Sequence, residues 1–220
     1  MVGELIPVQI LSLQLLPNIS RDLAARWNLD ERNRSVGLIS TDCDDATYMA
    51  LDEATKMANV EVIYARSLYA GAANASTRLA GEVIGIVAGP TPSEVVSGLR
   101  GAVSFLRSGV GFRKADADGG VAYLAHCVSR TGTYLSEEAR VPAGQPLAYL
   151  IAPPVEAMVG LDAALKAADV TLCRFYEPPT ETNFAGGLLT GTQSACQAAC
   201  EAFAEAVCAV ADRPTELGGV

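Results

Sequence analysis

"LDEATKMANVEV" (residues 51–62) is written a second time as "LDAALKAADVTL" (161–172), 110 positions later in a chain of 220 residues. An offset of half the length points to an internal duplication. The likeness continues outward on both sides. "LAGEVIGIVAG" (79–89) recurs as "FAGGLLTG" (184–191), and "TPSEVVSGLRGAVSFL" (91–106) as "TQSACQAACEAFAEAV" (192–207). Upstream, the apolar run "VGLIS" (36–40) matches "LAYLI" (147–151).

Each copy reads strand, helix, strand, loop, strand, helix. The first helix is predicted from about Asp44 to Ala58, with Tyr48, Met49, Leu51 and Thr55 as its inner stripe. "VEVIYAR" (60–66) alternates as a strand. "TPSE" (91–94) opens a second helix, with Thr91 as cap and Pro92 in its first turn; Thr192 plays that part in the second copy. Further strand material precedes each copy: "VQILSLQLL" (8–16), followed by a short helix carrying Leu23 and Trp27, and "VAYLAHCVSRTGTYLS" (121–136). The expected fold class is α/β (α+β), with two tandem domains, 1–110 and 111–220. Each is expected to be a mostly antiparallel sheet with helices on one face. "GVGFRKADADGG" (109–120) suits the boundary. It hints at a calcium loop, but the ligand register fails and no closing glutamate follows.

The net charge of −9 argues against nucleic acid and against an anionic membrane surface as partners. No uncharged apolar run reaches the ~18 residues of a spanning helix. The opening "MVGELIPVQILSLQLL" carries Glu4 and interrupting Pro7, Gln9, Ser12 and Gln14, unlike a signal peptide. A cytoplasmic location is the expectation. None of the six cysteines forms a CxxC pair. Cys196 and Cys200 lie on one helix face beside Ala195 and Ala199, as small packing residues would; zinc ligation would need a second pair.

No nucleotide-loop, serine-hydrolase or zinc-protease motif occurs. His126, the single histidine, sits in an alternating apolar run and reads as a core or interface residue. Two acidic places stand out. "TDCDDATY" (41–48) holds three aspartates within four positions. Asp42 and Asp45 have capping-box spacing, and a helix N-terminus stabilises acids by ~0.3–1 kcal/mol each. Yet the second copy starts the matching helix with "APPVEAM" (152–158), without an acidic pair. The fold therefore does not require the doublet Asp44–Asp45, and adjacent acids repel unless donors or a cation are near. Both readings, helix start and cation site, stay open on the residues alone. The second place, "YEPPTETNFAG" (176–186), holds Glu177, Glu181 and Asn183 in a proline-stiffened loop. It fills the slot of the longer, small-residued loop "RSLYAGAANASTRLAGE" (66–82), which Glu82 closes.

"SVGLISTDCDDATYMALDEATK" (35–56), "ARSLYAGAANAS" (65–76), "HCVSRTGTYLS" (126–136), "AYLIAPPVEAM" (148–158) and "PPTETNFAGGLLTGTQSACQAAC" (178–200) resemble the EutL-type shell proteins of ethanolamine-utilisation microcompartments. The resemblance extends over nearly the whole chain. It implies two tandem, circularly permuted BMC domains and no enzymatic activity. Three chains would form a flat pseudohexameric tile, joined edge to edge with its own kind and with other shell proteins around the enzymes of ethanolamine breakdown. It implies a gated central pore lined by Ser67, Leu68, Tyr69, Ala70, Gly71, Ala72, Ala73 and Asn74, with Glu82 at the position of a zinc contact. Ethanolamine contacts carry over to Asp44, Asp45, Phe112, Glu181, Thr182 and Asn183. No cofactor is implied as required, and corrinoid binding is left open.

The chemistry is consistent with this expectation. Ethanolamine is a small ammonium ion whose N–H groups suit carboxylates, and Phe112 can supply a cation–π wall. The alternative function is a soluble, small-ligand-binding regulatory module with duplicated α/β domains; an enzyme acting on an amine stands third. Trimers that form hexagonal sheets would separate the shell protein from both.

Overall fold

The computed structural model describes residues 1–68, 79, 81–178, 180 and 182–215. In chain order the elements are β1 (Ile10–Leu16), α1 (Arg21–Arg26), β2 (Ser35–Thr41), α2 (Asp44–Met57), β3 (Glu61–Ser67), β4 (Val83–Gly89) and α3 (Pro92–Arg107). Then follow β5 (Arg113–Lys114), β6 (Ala122–Val128), α4 (Thr133–Ala139), β7 (Leu147–Ala152), α5 (Pro154–Ala167), β8 (Val170–Tyr176), β9 (Ala185–Gly191) and α6 (Gln193–Asp212). They form two compact units. The N-terminal unit comprises Pro7–Gly111 with Thr131–Glu137. The C-terminal unit comprises Met1–Ile6, Phe112–Arg130 and Glu138–Val220.

The duplication read from the sequence is visible in the sheets. Strand order is β1-β2-β4-β3 in the first unit and β5-β6-β7-β9-β8 in the second, and every pairing is antiparallel. The outer strands β3 and β8 break register at equivalent places, between Val62 and Tyr64 and between Leu172 and Arg174. An irregularity repeated at the same step marks one local solution used twice. The caps match as well: Thr91 Oγ1 accepts the Glu94 N–H at 3.2 Å, and Thr192 Oγ1 accepts the Ala195 N–H at 3.2 Å.

In the N-terminal unit α2 and α3 lie close on the sheet. A Cβ on Gly37 would meet Leu99 and Val95 at 2.7 Å, and one on Gly85 would meet Leu51 at 2.7 Å. Close approach therefore needs glycine at these strand positions. The alternate strand residues Val36, Ile86 and Ala88 face the other way and pack with Ile19 and Ala24, bordered by Trp27. The expected placement of helices on a single face is corrected here: the stretch around α1 covers the reverse face, because that face is equally apolar. Leu23, expected beside Trp27, is instead 48% exposed.

In the C-terminal unit, Ala148, Leu150 and Ala152 of β7 and Ala185 and Leu189 of β9 pack against Ala157, Leu161 and Ala164 of α5 and Cys196, Ala199, Cys200, Phe203 and Val207 of α6. Small residues let the two helices approach: a Cβ on Gly160 would stand 2.6 Å from the Phe203 ring. Phe203 is fully buried, and truncation of such a ring costs ~3–5 kcal/mol. α6 meets the length and apolarity of a membrane span, but its apolar face is part of this core. Cys196 and Cys200 are buried packing residues whose thiols burial pushes up, away from the reactive thiolate.

Candidate functional site

The sequence between β2 and α2 folds back through a knot of hydroxyls. Thr41 Oγ1 accepts the Cys43 N–H at 3.1 Å and lies 2.6 Å from Thr47 Oγ1, which in turn donates to the Cys43 carbonyl at 2.8 Å. Cys43 takes the cap position of α2 but makes no side-chain cap bond. The capping-box reading of Asp42 and Asp45 is therefore corrected. Asp42 Oδ1 accepts the Gln9 N–H at 2.7 Å, and the Asp42 N–H donates to the Gln9 carbonyl at 3.2 Å. Asp42 extends the β1–β2 pairing and does not serve the helix.

Asp44 and Asp45 occupy the first turn of α2 and are 6% and 8% exposed. Asp44 Oδ1 accepts the Asp45 N–H at 2.8 Å. Its Oδ2 accepts the Ser67 hydroxyl at 2.7 Å, and Tyr48 Oη stands 2.5 Å from Ser67 Oγ. Two negative groups can share this turn because N–H donors and the helix dipole converge there. Glu82 sits at the start of β4, its N–H donating to the Thr41 carbonyl at 2.9 Å and its carbonyl accepting from Leu68 N at 2.6 Å. Although the residue is exposed, its carboxyl is pushed above the usual range, first by partial desolvation and then by Asp44 and Asp42. Cys43 is pushed up by burial and by Asp45, so its thiol stays protonated.

The N-terminal unit thus brings Asp44, Asp45, Ser67 and Glu82 to the ends of β2, β3 and β4. Leu68 follows β3 and is 41% exposed. Tyr69, Ala70, Gly71, Ala72, Ala73 and Asn74, expected in a pore loop, and Glu181 lie outside the described residues.

In the C-terminal unit, Phe112 packs its edge on Phe184, with centroids 5.2 Å apart and planes at 65°. Phe184 ends a turn in which Thr180 Oγ1 donates to the Phe184 carbonyl at 2.9 Å and the Asn183 N–H donates to the Thr180 carbonyl at 3.1 Å. The Thr180 and Thr182 hydroxyls are 3.3 Å apart. Asn183 holds φ +62°, a left-handed conformation that asparagine tolerates better than most residues. Phe112, Thr182 and Asn183 therefore belong to one local cluster. The "ADADGG" stretch is a closed turn: Asp116 Oδ1 accepts from Gly119 and Gly120 N–H at 2.5 and 2.9 Å, and Oδ2 from Val121 at 3.1 Å. Backbone donors occupy the carboxylate that a calcium ion would need.

Two residues in the N-terminal unit escaped the sequence reading. Asp52 is fully buried and accepts the N–H groups of Gly132 at 2.7 Å and Leu135 at 2.8 Å. Ser67 was expected only as part of the pore loop, yet it is a direct partner of Asp44. Asp52 left no signal, because its donors lie 80 and 83 residues away.

A family model described as "BMC domain" matches residues 35–113. The chain is 61% identical over 214 residues to the bacterial microcompartment shell protein EutL of Clostridium perfringens, covering 97% of this chain and 99% of the relative. It is 48% identical over 213 residues to EutL of Escherichia coli, covering 97% of each. The crystal structure of the ethanolamine utilization protein EutL from Leptotrichia buccalis superposes with a TM-score of 0.95 at 59% identity, over 98% of this chain and 100% of that one. These relatives are named as shell proteins, none as an enzyme. With likeness at that level running from end to end, the chain belongs to the EutL family of bacterial microcompartment shell proteins, structural components of the compartment shell.

Proposed function

We propose that this chain is a homotrimeric tile of the shell, joined edge to edge with further copies and with other shell proteins, and that it binds ethanolamine at small acidic passages beside a gated central pore. The proposed contacts are Asp44 and Asp45 in the N-terminal unit and Phe112, Glu181, Thr182 and Asn183 in the C-terminal unit.

One observation carries the ligand reading. Asp45 is 8% exposed, while its counterpart 110 residues on, Val155, is 67% exposed. The same helix start can thus be built without buried acids, and buried carboxylates cost several kcal/mol unless charge or donors compensate them. Among the described residues Asp44 receives one donor on each oxygen, about half its acceptor capacity. A primary ammonium supplies both the missing charge and the missing N–H groups. An acidic passage of this kind favours cations over anions.

Zinc is proposed only at the level of the assembly. Among the described residues no group of three or more His, Cys, Asp or Glu is placed to hold a metal. Glu82 alone does not fit a resident tetrahedral ion, so a zinc ion there would take its other ligands from symmetry-related copies. No resident cofactor is proposed, and no observation on these residues favours a corrinoid.

Electron microscopy of the purified protein is expected to show hexagonally packed sheets, and sedimentation a trimer. A monomer at all concentrations would reject the tile. Calorimetry is expected to show Asp45→Asn weakening ethanolamine binding with assembly intact; unchanged affinity would reject the site.

A further inference from the structure

Asp44 is held by a chain of hydroxyls whose direction is set by chemistry. An ionised carboxylate only accepts, so the single Ser67 proton goes to Asp44 Oδ2 at 2.7 Å. The Tyr48 hydroxyl, 2.5 Å from Ser67 Oγ, must then donate to Ser67. The order is Tyr48 to Ser67 to Asp44, each bond polarising the next. Both hydroxyl-bearing members are anchored. Ser67 is the last residue of β3, paired with Val83 of β4. Tyr48 stands one helical turn beyond Asp44 on α2, with its ring 6.3 Å from that of Tyr134. On the opposite oxygen the Asp45 amide fixes Oδ1. The carboxylate cannot rotate without breaking a bond on either side.

We propose that Ser67 and Tyr48 are positioning residues for ligand binding, which hold Asp44 as a rigid, acceptor-only group and so make the site selective for N–H-bearing ammonium ions over quaternary ones. The inference rests on the ethanolamine reading of Asp44. A fixed carboxylate that keeps acceptor lone pairs beyond its one donor on each oxygen rewards a ligand that brings N–H donors. A quaternary ammonium such as choline brings charge but no donor and presents methyl groups to those lone pairs. Neither residue is required to touch the ligand.

The test is calorimetric titration of the full-length protein with ethanolamine and, separately, choline. Ser67→Ala is expected to weaken ethanolamine about tenfold, the usual scale for a hydrogen bond to a charged group. Ser67→Thr, which keeps the hydroxyl, is expected to restore affinity to within about twofold, and Tyr48→Phe to cost about threefold as the outer link. Wild type is expected to prefer ethanolamine over choline about tenfold or more, and Ser67→Ala to narrow that preference. Unchanged ethanolamine affinity in Ser67→Ala, or no rescue by Thr, overturns the proposal; so does equal binding of choline by wild type. Should Ser67→Ala fail to fold, judged by its melting curve, Tyr48→Phe decides in its place. Asp44→Asn separates the two levels. If it loses binding while Ser67→Ala does not, only the positioning chain falls. If neither variant changes affinity, the ethanolamine site itself falls.

Discussion

Asp52–Lys56 and Asp162–Lys166 are the same pair in the two copies, four residues apart on equivalent helices. The second is the closer contact, 2.6 Å against 3.5 Å. It is also the less consequential. Asp162 and Lys166 are 64% and 74% exposed, so water and salt screen them. Asp52 is fully buried, Lys56 is 13% exposed, and the Asp52 carboxylate also receives the Gly132 and Leu135 N–H groups. Those donors open α4, whose first turn would otherwise present unpaired N–H groups. A Cβ on Gly132 would stand 2.2 Å from Thr55 Oγ1, so only glycine brings its amide this near. Identical sequence spacing has produced a buried hub in one unit and a surface ion pair in the other. Burial and the number of donors, not the N–O distance, decide which one matters.

The largest test of that contrast is Asp52→Ala. It leaves the Gly132 and Leu135 N–H groups without their acceptor, while Lys56 keeps its ion pair with Glu53, and is expected to cost about 3–4 kcal/mol by chemical denaturation. A loss below about 1 kcal/mol would break the comparison. Gly132→Ala comes next. It forces a methyl group against Thr55 and the Asp52 carbonyl and is expected to cost about 1–3 kcal/mol.

Asp45→Val installs the residue type of the second copy at position 155. The fold is expected to survive, because α5 carries valine at the equivalent position and a single first-turn acid, Glu156, in place of the doublet, while ethanolamine affinity drops at least about tenfold in calorimetry. Loss of folding instead would show that the acid serves the helix.

Glu82 has no acidic counterpart: Phe184 fills its place in the second copy. Its carboxyl is raised in the folded chain. The folded state thus holds the proton more tightly than the unfolded one, and stability falls as pH rises from the ordinary glutamate range through the raised value. Glu82→Gln is expected to lift the melting temperature by about 1 °C at pH 7 and by nothing near pH 4. A pH-independent difference would contradict the assigned cause. The smallest effect is expected for Asp162→Ala, within about 0.5 kcal/mol and further reduced by salt.

Much of the fold was legible because its signals are local. Thr91 and Thr192 lie three residues before the N–H groups they cap, and the pairing of glycines and apolar residues in β4 and β9 repeats within one strand length. The family was legible for a different reason: long strings around Asp44, Ser67 and Asn183 match it. Asp42 was misread because its actual partner, Gln9, is 33 residues upstream, just before the neighbouring strand β1. Of the candidate site, the sequence supplied the unusual chemistry, an acid doublet the duplicate lacks. It did not supply Ser67 as Asp44's donor, since β3 and α2 meet only after the sheet forms.

By itself the sequence determined that the chain is a duplicated α/β protein and where helices α2, α3 and α6 begin, because periodicity and caps act over a few residues, and which family it joins, because long strings match that family. It read 121–136 as strand material, where the structure has β6 and then α4. The tertiary structure alone decided which of two like-spaced aspartates is buried, which hydroxyls hold Asp44, and which carboxylates serve backbone turns. A carboxylate's role depends on how much water and how many donors surround it, and those are brought from distant parts of the chain.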